Sequence, residues 1–217
     1  MGTSLRTDLQ ELEQQLILMG QLVTAAIENA TLALSTGDLA LAQKVVDGDD
    51  EIDHLQKQIE MRSLQLMALQ QPMARDLRYM ATGLKLVTDL ERIADHGVDI
   101  AKITLSLGGE ALIKPLIDIP AMAVKAHEMI HEALAAFVTR DGDRARAMIE
   151  LDHGIDHLYS KVFDELLDIM QEEPAAVRQA VYLLQVATYL ERVGDHATNL
   201  GEWTLYLLTG ELADLNN

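Results

Sequence analysis

The sequence predicts an all-α protein built as two tandem three-helix bundles, with six long antiparallel helices related by an internal repeat. Apolar residues recur at spacings of three and four along nearly the whole chain, which is the period of an amphipathic helix. Aromatic residues make up 4% of the chain and only 4 residues are proline, a composition that favours helices over β-structure. Charged segments that occur once in each half point to the repeat.

The first half is predicted to contain three long helices joined by short turns. They span about residues 4–35, 38–70 and 72–107. Gly37-Asp38 combines a helix stop with a residue that can cap the next helix. Pro72 suits the first turn of a helix, where the missing N–H is not needed, and Gly108-Gly109 ends the third helix.

The second half is predicted to repeat this layout after a linker at residues 108–120. The fourth helix is predicted at about residues 121–140, the fifth ends near residue 171, and the sixth spans residues 174–210. Asp141-Gly142-Asp143 mirrors the earlier glycine–aspartate stop. We therefore predict two domains, residues 1–110 and 111–217, each a bundle of antiparallel neighbours.

Two charged segments occur in both halves and show that the layout is an internal repeat. Leu90–His96 (LERIADH) returns as Leu190–His196 (LERVGDH), with five of seven residues identical. Asp49–Leu55 (DDEIDHL) returns as Asp152–Leu158 (DHGIDHL). Packing does not require the same charged residues, so their identity argues against a likeness by composition alone.

In each half, two helices carry an acidic pair one turn apart, on a face that is otherwise apolar and is expected to be buried. If these helices are adjacent, four carboxylates converge in each half. The acids are Asp49, Asp53, Glu91 and Asp95 in the first half and Asp152, Asp156, Glu191 and Asp195 in the second. Asp99 and Asn199 lie one turn beyond Asp95 and Asp195 and are candidates to complete the two sites.

Converging carboxylates need compensation, because two of them 5 Å apart repel by roughly 3 kcal/mol at an effective dielectric near 20. Bound metal ions would relieve the repulsion. An all-oxygen site suits hard cations such as Mg²⁺, Mn²⁺, Ca²⁺ or iron, and Zn²⁺ is also possible. The alternative is a solvated acidic face that pairs with basic residues, with Arg92 and Arg192 the obvious counterions. Four acidic pairs on helix faces related by the repeat favour the metal interpretation.

The charge and composition of the chain exclude several classes of protein. Lys and Arg number 17 against 35 Asp and Glu, a formal charge of −18, which disfavours binding to nucleic acid or anionic lipid. We expect no signal peptide, because residues 1–15 are polar and charged. We expect no membrane insertion, because no apolar run approaches the roughly 20 residues that span a bilayer. Cysteine is absent, which excludes disulfides and thiolate metal sites. We expect a cytoplasmic protein.

The repeated acidic segments resemble those of the PhoU family, the accessory regulators of bacterial phosphate uptake. The resemblance is carried by the two Leu-Glu-Arg-x-x-Asp-His segments, the two Asp-x-x-x-Asp segments, and residues 203–211, which are similar to the family's C-terminus. It implies two three-helix bundles with multinuclear metal sites at these acids, which hold iron in some members. It also implies a cytoplasmic negative regulator that connects a phosphate ABC transporter to a phosphate-sensing histidine kinase.

Two residues depart from the family's pattern. Asp99 stands where the family commonly has Asn, as at Asn199, and Gly154 replaces an acidic or polar residue. The two sites are therefore expected to differ in metal content. We expect the chain to act by binding, as a homodimer or larger homo-oligomer.

A separate motif supports an alternative function, a metal-dependent hydrolase. His127-Glu128-Met129-Ile130-His131 matches the H-E-x-x-H pattern, in which two histidines bind zinc and the glutamate is the general base. Glu150 would be the third ligand. However, the repeat-related segment near residues 22–26 has no histidine, and no strand precedes the motif to bind a peptide. We interpret the histidines as partly exposed helical residues and expect that the protein is not an enzyme.

Overall fold

The computed structural model describes residues 3–70, 72–212 and 214–215. Within these residues it contains helices and no strand. The long helices are α1 (Thr3–Thr36), α2 (Leu39–Gln70), α3 (Ala74–Leu107), α4 (Asp118–Thr139), α6 (Met148–Glu172) and α7 (Val177–Thr209), and a short helix is α5 (Gly142–Arg146). A 3-10 turn, Pro174–Ala176, leads into α7. The predicted all-α fold with six long helices is confirmed.

Three of the long helices end at glycines in the left-handed conformation. Gly37, Gly108 and Gly210 have φ angles of 68°, 63° and 82°, which glycine adopts without steric cost. The end of α4 differs, because Arg140 takes this conformation with a φ of 58°. Asp38 caps α2 as predicted, since its carboxylate accepts a hydrogen bond of 2.9 Å from the backbone N–H three residues later.

The second half departs from the predicted helix bounds at two places. α4 begins at Asp118 rather than near residue 121, so Pro120 lies in its first turn, where proline is tolerated. The predicted fifth helix is interrupted at Ala147 and forms α5 and α6. Asp141 caps α5 by accepting two backbone hydrogen bonds of 3.0 Å. Both α5 and α6 pack against α7.

The two bundles share one hydrophobic core. α1, α2 and α3 form the first bundle, and α4, α6 and α7 form the second. α3 also packs along α7, and α1 packs along α4. Buried side chains from both halves, such as Leu90 and Leu190, therefore belong to one continuous cluster. The division into domains at residues 110 and 111 stays a prediction.

Among the described residues one segment, Leu5–Thr36 of α1, is long and apolar enough to cross a membrane by length and composition alone. The expectation that no segment is apolar enough is therefore wrong for α1. The physical reason is packing, because α1 contacts α2, α3 and α4 and needs a wide apolar face to do so. Its buried residues, from Leu5 to Leu34, lie in the protein's own core.

The close packing of α7 on α5 and α6 depends on Gly201. A Cβ at Gly201 would lie 3.0 Å from the Ala145 carbonyl oxygen and 2.9 Å from Met148 Cγ. Gly201→Ala is expected to lower the free energy of unfolding by about 1–3 kcal/mol, since the backbone must shift. Gly48→Ala is the matched control: a Cβ there meets no atom within 4 Å, so helix propensity should stabilise the fold by about 0.5–1 kcal/mol. Urea unfolding measures both changes, and equal midpoints would contradict this packing.

Candidate metal centres

The structure brings the eight predicted acids together in two groups, which we call the first and second carboxylate centres. The first contains Asp49 and Asp53 of α2 with Glu91 and Asp95 of α3, and the second contains Asp152 and Asp156 of α6 with Glu191 and Asp195 of α7. In each centre, acids on one helix raise the pKa of an acid on the other. The predicted adjacency of these helices is therefore confirmed.

Burial is the main cause of the raised pKa values in the first centre. Burial raises the pKa of Asp49 most, and the charges of Asp53 and Asp95 raise it further. The pKa of Glu91 is also raised, by burial first and by Asp95 next. The Glu91 side chain is only 18% exposed, and its Oε2 is buried without a hydrogen-bond partner. Arg92 Nε, 3.5 Å away, compensates this oxygen in part, and a bound cation would compensate it further.

Three basic side chains lie at the rim of the first centre. The ion pairs are Arg92 with Glu91 (3.5 Å) and Asp95 (3.2 Å), Lys57 with Asp53 (3.2 Å), and Lys102 with Asp99 (3.8 Å). The basic partners are more than half exposed, so each pair contributes little stability. The alternative of a solvated acidic face paired with basic residues therefore describes part of this centre.

The repeat does not preserve these cations in the second centre. Ser160 replaces Lys57 and Glu202 replaces Lys102, so only Arg192 remains of the three basic positions. The second centre therefore has more uncompensated negative charge, and a bound cation would relieve more repulsion there.

Asp152 has a raised pKa, mainly because it is buried. Burial raises the pKa of Asp152 to about 6, and the charges of Asp156 and Asp195 add to the increase. The nearby Thr198 hydroxyl lowers the pKa of Asp152. This buried hydroxyl does not meet the geometric criteria for a hydrogen bond. Gly194 of α7 makes room for the carboxylate, since a Cβ there would lie 2.9 Å from Asp152 Oδ1.

The chemistry of the donors in both centres fits a hard cation, but their present arrangement does not yet hold one. All eight are carboxylates, which suit Mg²⁺, Mn²⁺, Ca²⁺ or iron. The Glu91 oxygen that lacks a hydrogen bond and the room that Gly194 leaves for the Asp152 carboxylate agree with such a site. As the side chains stand, no three acidic or histidine side chains of the described residues are arranged to hold one ion. Ligation would require rotation of half-exposed carboxylates, such as Asp53 and Asp95, which are 41% and 43% exposed.

The prediction that the acidic faces are buried is confirmed only in part, because Val98 and Thr198 on these faces are buried while other apolar residues are exposed. Leu64 and Leu77 lie on the stripes of the first centre and are 54% and 44% exposed. Phe163, on a stripe of the second centre, is 36% exposed. Each helix of a three-helix bundle buries only the side that faces its partners, so the groove between neighbouring helices opens to solvent. The two centres are half-exposed grooves and not interior sites.

The two residues predicted to complete the sites have different surroundings. Asn199 Nδ2 donates to Asp89 Oδ1 at 3.3 Å, and His196 Nδ1 lies 2.9 Å from the same oxygen. The Asn199 amide therefore lies at the interface between α7 and α3. Asp99 remains with the first centre, where burial raises its pKa and the charge of Asp95 raises it further.

Sequence reasoning missed a polar cluster between α3 and α7. The rings of His96 and His196 are 5.8 Å apart, and His96 stacks on Tyr189 at 5.4 Å. Burial, followed by the charge of His196, lowers the pKa of His96 to about 4, so His96 is neutral at pH 7. A signal for this cluster exists, because both histidines follow an acid by one residue and so point about 100° away from it. That direction is where the two halves meet.

The raised pKa of Asp152 predicts a pH dependence of the metal-free protein. Folding raises this pKa from 3.8 to about 6, so the folded state holds more protons than the unfolded chain in that range. The free energy of unfolding therefore falls, through this group, as the pH rises from 3.8 to about 6. Asp152→Asn is expected to remove this contribution in urea unfolding with chelator present. His96 acts oppositely, since its lowered pKa makes stability rise with pH from about 4 to 6.5. The pH dependence of the free energy of unfolding is therefore compared between the variant and the parent. Identical slopes against pH would contradict the prediction.

The H-E-x-x-H histidines lie at a groove between α1 and α4. His127 Nδ1 contacts Glu28 of α1, and His131 Nδ1 lies 3.4 Å from Glu132. The side chains of His127 and His131 are 47% and 71% exposed, which agrees with partly exposed helical residues. Glu150 is exposed in the first turn of α6, and the described residues contain no three-ligand arrangement here either.

Comparisons with known proteins agree with this architecture. The family model described as "PhoU domain" matches residues 16–104 and 119–204, one match in each half. A phosphate-specific transport system accessory protein PhoU homolog of Clostridium acetobutylicum is 42% identical over 212 residues, 97% of each chain. The crystal structure of PhoU from Pseudomonas aeruginosa has a TM-score of 0.90 and 32% identity, and covers 95% of this chain and 99% of its own. The crystal structure of the phosphate transport system regulatory protein PhoU from Streptococcus pneumoniae also has a TM-score of 0.90, with 31% identity over 97% of this chain and 99% of its own. Because the family model covers most of the chain and these relatives match the chain nearly end to end, the chain belongs to the PhoU family.

Proposed function

We propose that this chain is a cytoplasmic negative regulator of phosphate uptake, which links a phosphate ABC transporter to a phosphate-sensing histidine kinase. The observation that carries the proposal is 42% identity, over nearly the full length, to a phosphate-specific transport system accessory protein. The description of the Streptococcus pneumoniae structure as a transport system regulatory protein supports a regulatory role. The link to the kinase rests on the resemblance of the acidic motifs.

The chain acts by binding and not by turnover. Its relatives are named accessory proteins, which supports a binding role. The hydrolase alternative has less support, because His127 and His131 are largely exposed.

The two carboxylate centres hold metal ions in this proposal. Iron is the first candidate by resemblance, and Mn²⁺, Mg²⁺, Ca²⁺ or Zn²⁺ are the others. A bound cation supplies positive charge that offsets the repulsion among the acids. Asp49 and Asp53 then hold α2 close to Glu91 and Asp95 of α3, and the corresponding acids hold α6 close to α7. Helix spacing, and with it the shape of the outer surface, therefore depends on metal.

The outer surface formed by these helix pairs contacts the partners. It combines the acidic grooves with exposed apolar side chains such as Leu64, Leu77 and Phe163. Together with the net charge of −18, this surface fits basic, partly apolar segments of a partner. The same apolar side chains support a homodimer or larger homo-oligomer. Metal and partner binding are then coupled, so each strengthens the other.

A sedimentation experiment tests the proposed partner. Purified protein is mixed with inverted membrane vesicles from its host, in which the cytoplasmic side faces outward. We expect the protein to sediment with vesicles from cells that express the phosphate transporter, and more of it to sediment with Mn²⁺ than with chelator. Vesicles from a strain without the transporter are the control. Equal sedimentation with both kinds of vesicle would reject the transporter as the partner.

A further inference from the structure

A cleft of about 1000 Å³ lies at the end of the molecule where α1 and α3 begin and α4 and α7 end. Four of the ten arginines of this acidic chain line it: Arg6, Arg75, Arg78 and Arg140. Its apolar surface includes Leu9, Leu207 and Leu208. The cleft contains none of the residues of either carboxylate centre.

The arginines of the cleft outnumber its acids and are not paired with them. Among the described residues, none of the four forms an ion pair with a carboxylate. Glu13 and Asp76 also line the cleft, but the Tyr79 hydroxyl donates a hydrogen bond of 2.7 Å to Glu13. Four arginines against two acids give a local positive charge within a chain of charge −18.

Arg140 is held in the cleft at a conformational cost. It ends α4 with a φ of 58°, where the ends of α1, α3 and α7 have glycine, and a side chain in this conformation costs about 1–2 kcal/mol. Its guanidinium lies 5.6 Å from the ring centre of Tyr79, and that of Arg78 lies 5.8 Å from the ring centre of Tyr206. Strain of this kind is kept where the side chain has a use.

The start of α3 also lies at the cleft. The first turn of α3, from Ala74 to Asp76, forms part of the wall, and no side chain caps that helix end. The positive end of this 34-residue helix faces the cleft. The negative ends of α4 and α7 lie there as well, so the preference for anions comes from the arginines.

We propose that this cleft binds a soluble organic di- or triphosphate. Guanidinium groups pair with phosphate oxygens through two parallel hydrogen bonds, and the four arginines can reach a chain of phosphates from several sides. The apolar wall at Leu9, Leu207 and Leu208 accommodates the organic part. The volume is that of a small-molecule site. This inference does not rest on the proposed regulatory function.

Calorimetric titration of the full-length protein with ADP and with inorganic pyrophosphate tests the inference. ADP is expected to bind more tightly than pyrophosphate, because only ADP uses the apolar wall. Arg75→Gln, Arg78→Gln and Arg140→Gln should each weaken ADP binding by about tenfold or more. Arg178→Gln is the matched control, since Arg178 is the repeat counterpart of Arg78 and pairs with Glu110 at 2.5 Å, outside the cleft.

Arg140→Gly separates a binding role from a structural one. Glycine removes the backbone strain, so this variant should melt no lower than the parent while it binds ADP more weakly. Four results would overturn the inference. The first is no binding of ADP to the parent at millimolar concentration, and the second is an equal loss of ADP binding in the Arg178→Gln control. The third is binding only to vesicles of phosphatidylglycerol. The fourth is binding that is abolished by EDTA but unchanged in the arginine variants, which would place the anion on a metal ion.

Discussion

A strain of the host that lacks this chain is expected to express its phosphate-starvation genes even at high phosphate. The reason is that the proposed regulator connects the transporter to the kinase, and without it the kinase receives no signal of sufficiency. Reporter expression from a starvation-induced promoter, measured at high and low phosphate, gives the result directly. The expected effect is loss of nearly all repression.

Complementation of this strain tests whether the carboxylate centres are required. The parent gene should restore repression, and a copy with all eight acids changed to their amides should not. A control copy carries amides at four exposed acids outside the centres, Glu11, Asp164, Asp168 and Glu172, and should restore repression. Normal repression in the deletion strain would reject the regulatory role and leave only a metal-binding bundle.

Metal is expected to raise the melting temperature of the protein substantially. A ligand at one hundred times its dissociation constant stabilises a fold by about 2.7 kcal/mol, which for a chain of this size corresponds to roughly 5–10 °C. Scanning calorimetry of the chelated protein, with and without Mn²⁺ or Fe²⁺, measures the change. Metal-free Asp195→Asn should itself melt slightly higher than the metal-free parent, because one repelling charge is gone.

Single substitutions assign the metal to its centres. Asp95→Asn and Asp195→Asn should each lower the metal content by the share of one centre while the helical circular dichroism is unchanged. Because the second centre lacks counterparts of Lys57 and Lys102, chelator should remove metal from the first centre before the second. Full metal content in both variants would mean that the acids are not the site. His127→Ala and His131→Ala should retain metal, and loss of zinc in them would favour the hydrolase alternative.

The sequence alone determines five of the six predicted helices, the repeat, and which acids lie on adjacent helices. Helix ends are local, since Gly37-Asp38 and Gly108 act through their own backbone conformations, and apolar spacing reports the face of each helix. Adjacency of α2 with α3 follows from the short turn between them. These three facts are enough to place Asp49 near Glu91.

Only the tertiary structure decides how the two halves meet and which faces remain open. The packing of α3 on α7 puts His196 and Asn199 against Asp89, and packing of α5 and α6 on α7 accompanies the break at Ala147. It also leaves the acidic grooves half-exposed. The cleft that gathers Arg6, Arg75, Arg78 and Arg140 draws on helix ends far apart in sequence. Spacing along one helix identifies its apolar face, but burial and charge at a site depend on neighbours that the chain supplies from distant segments.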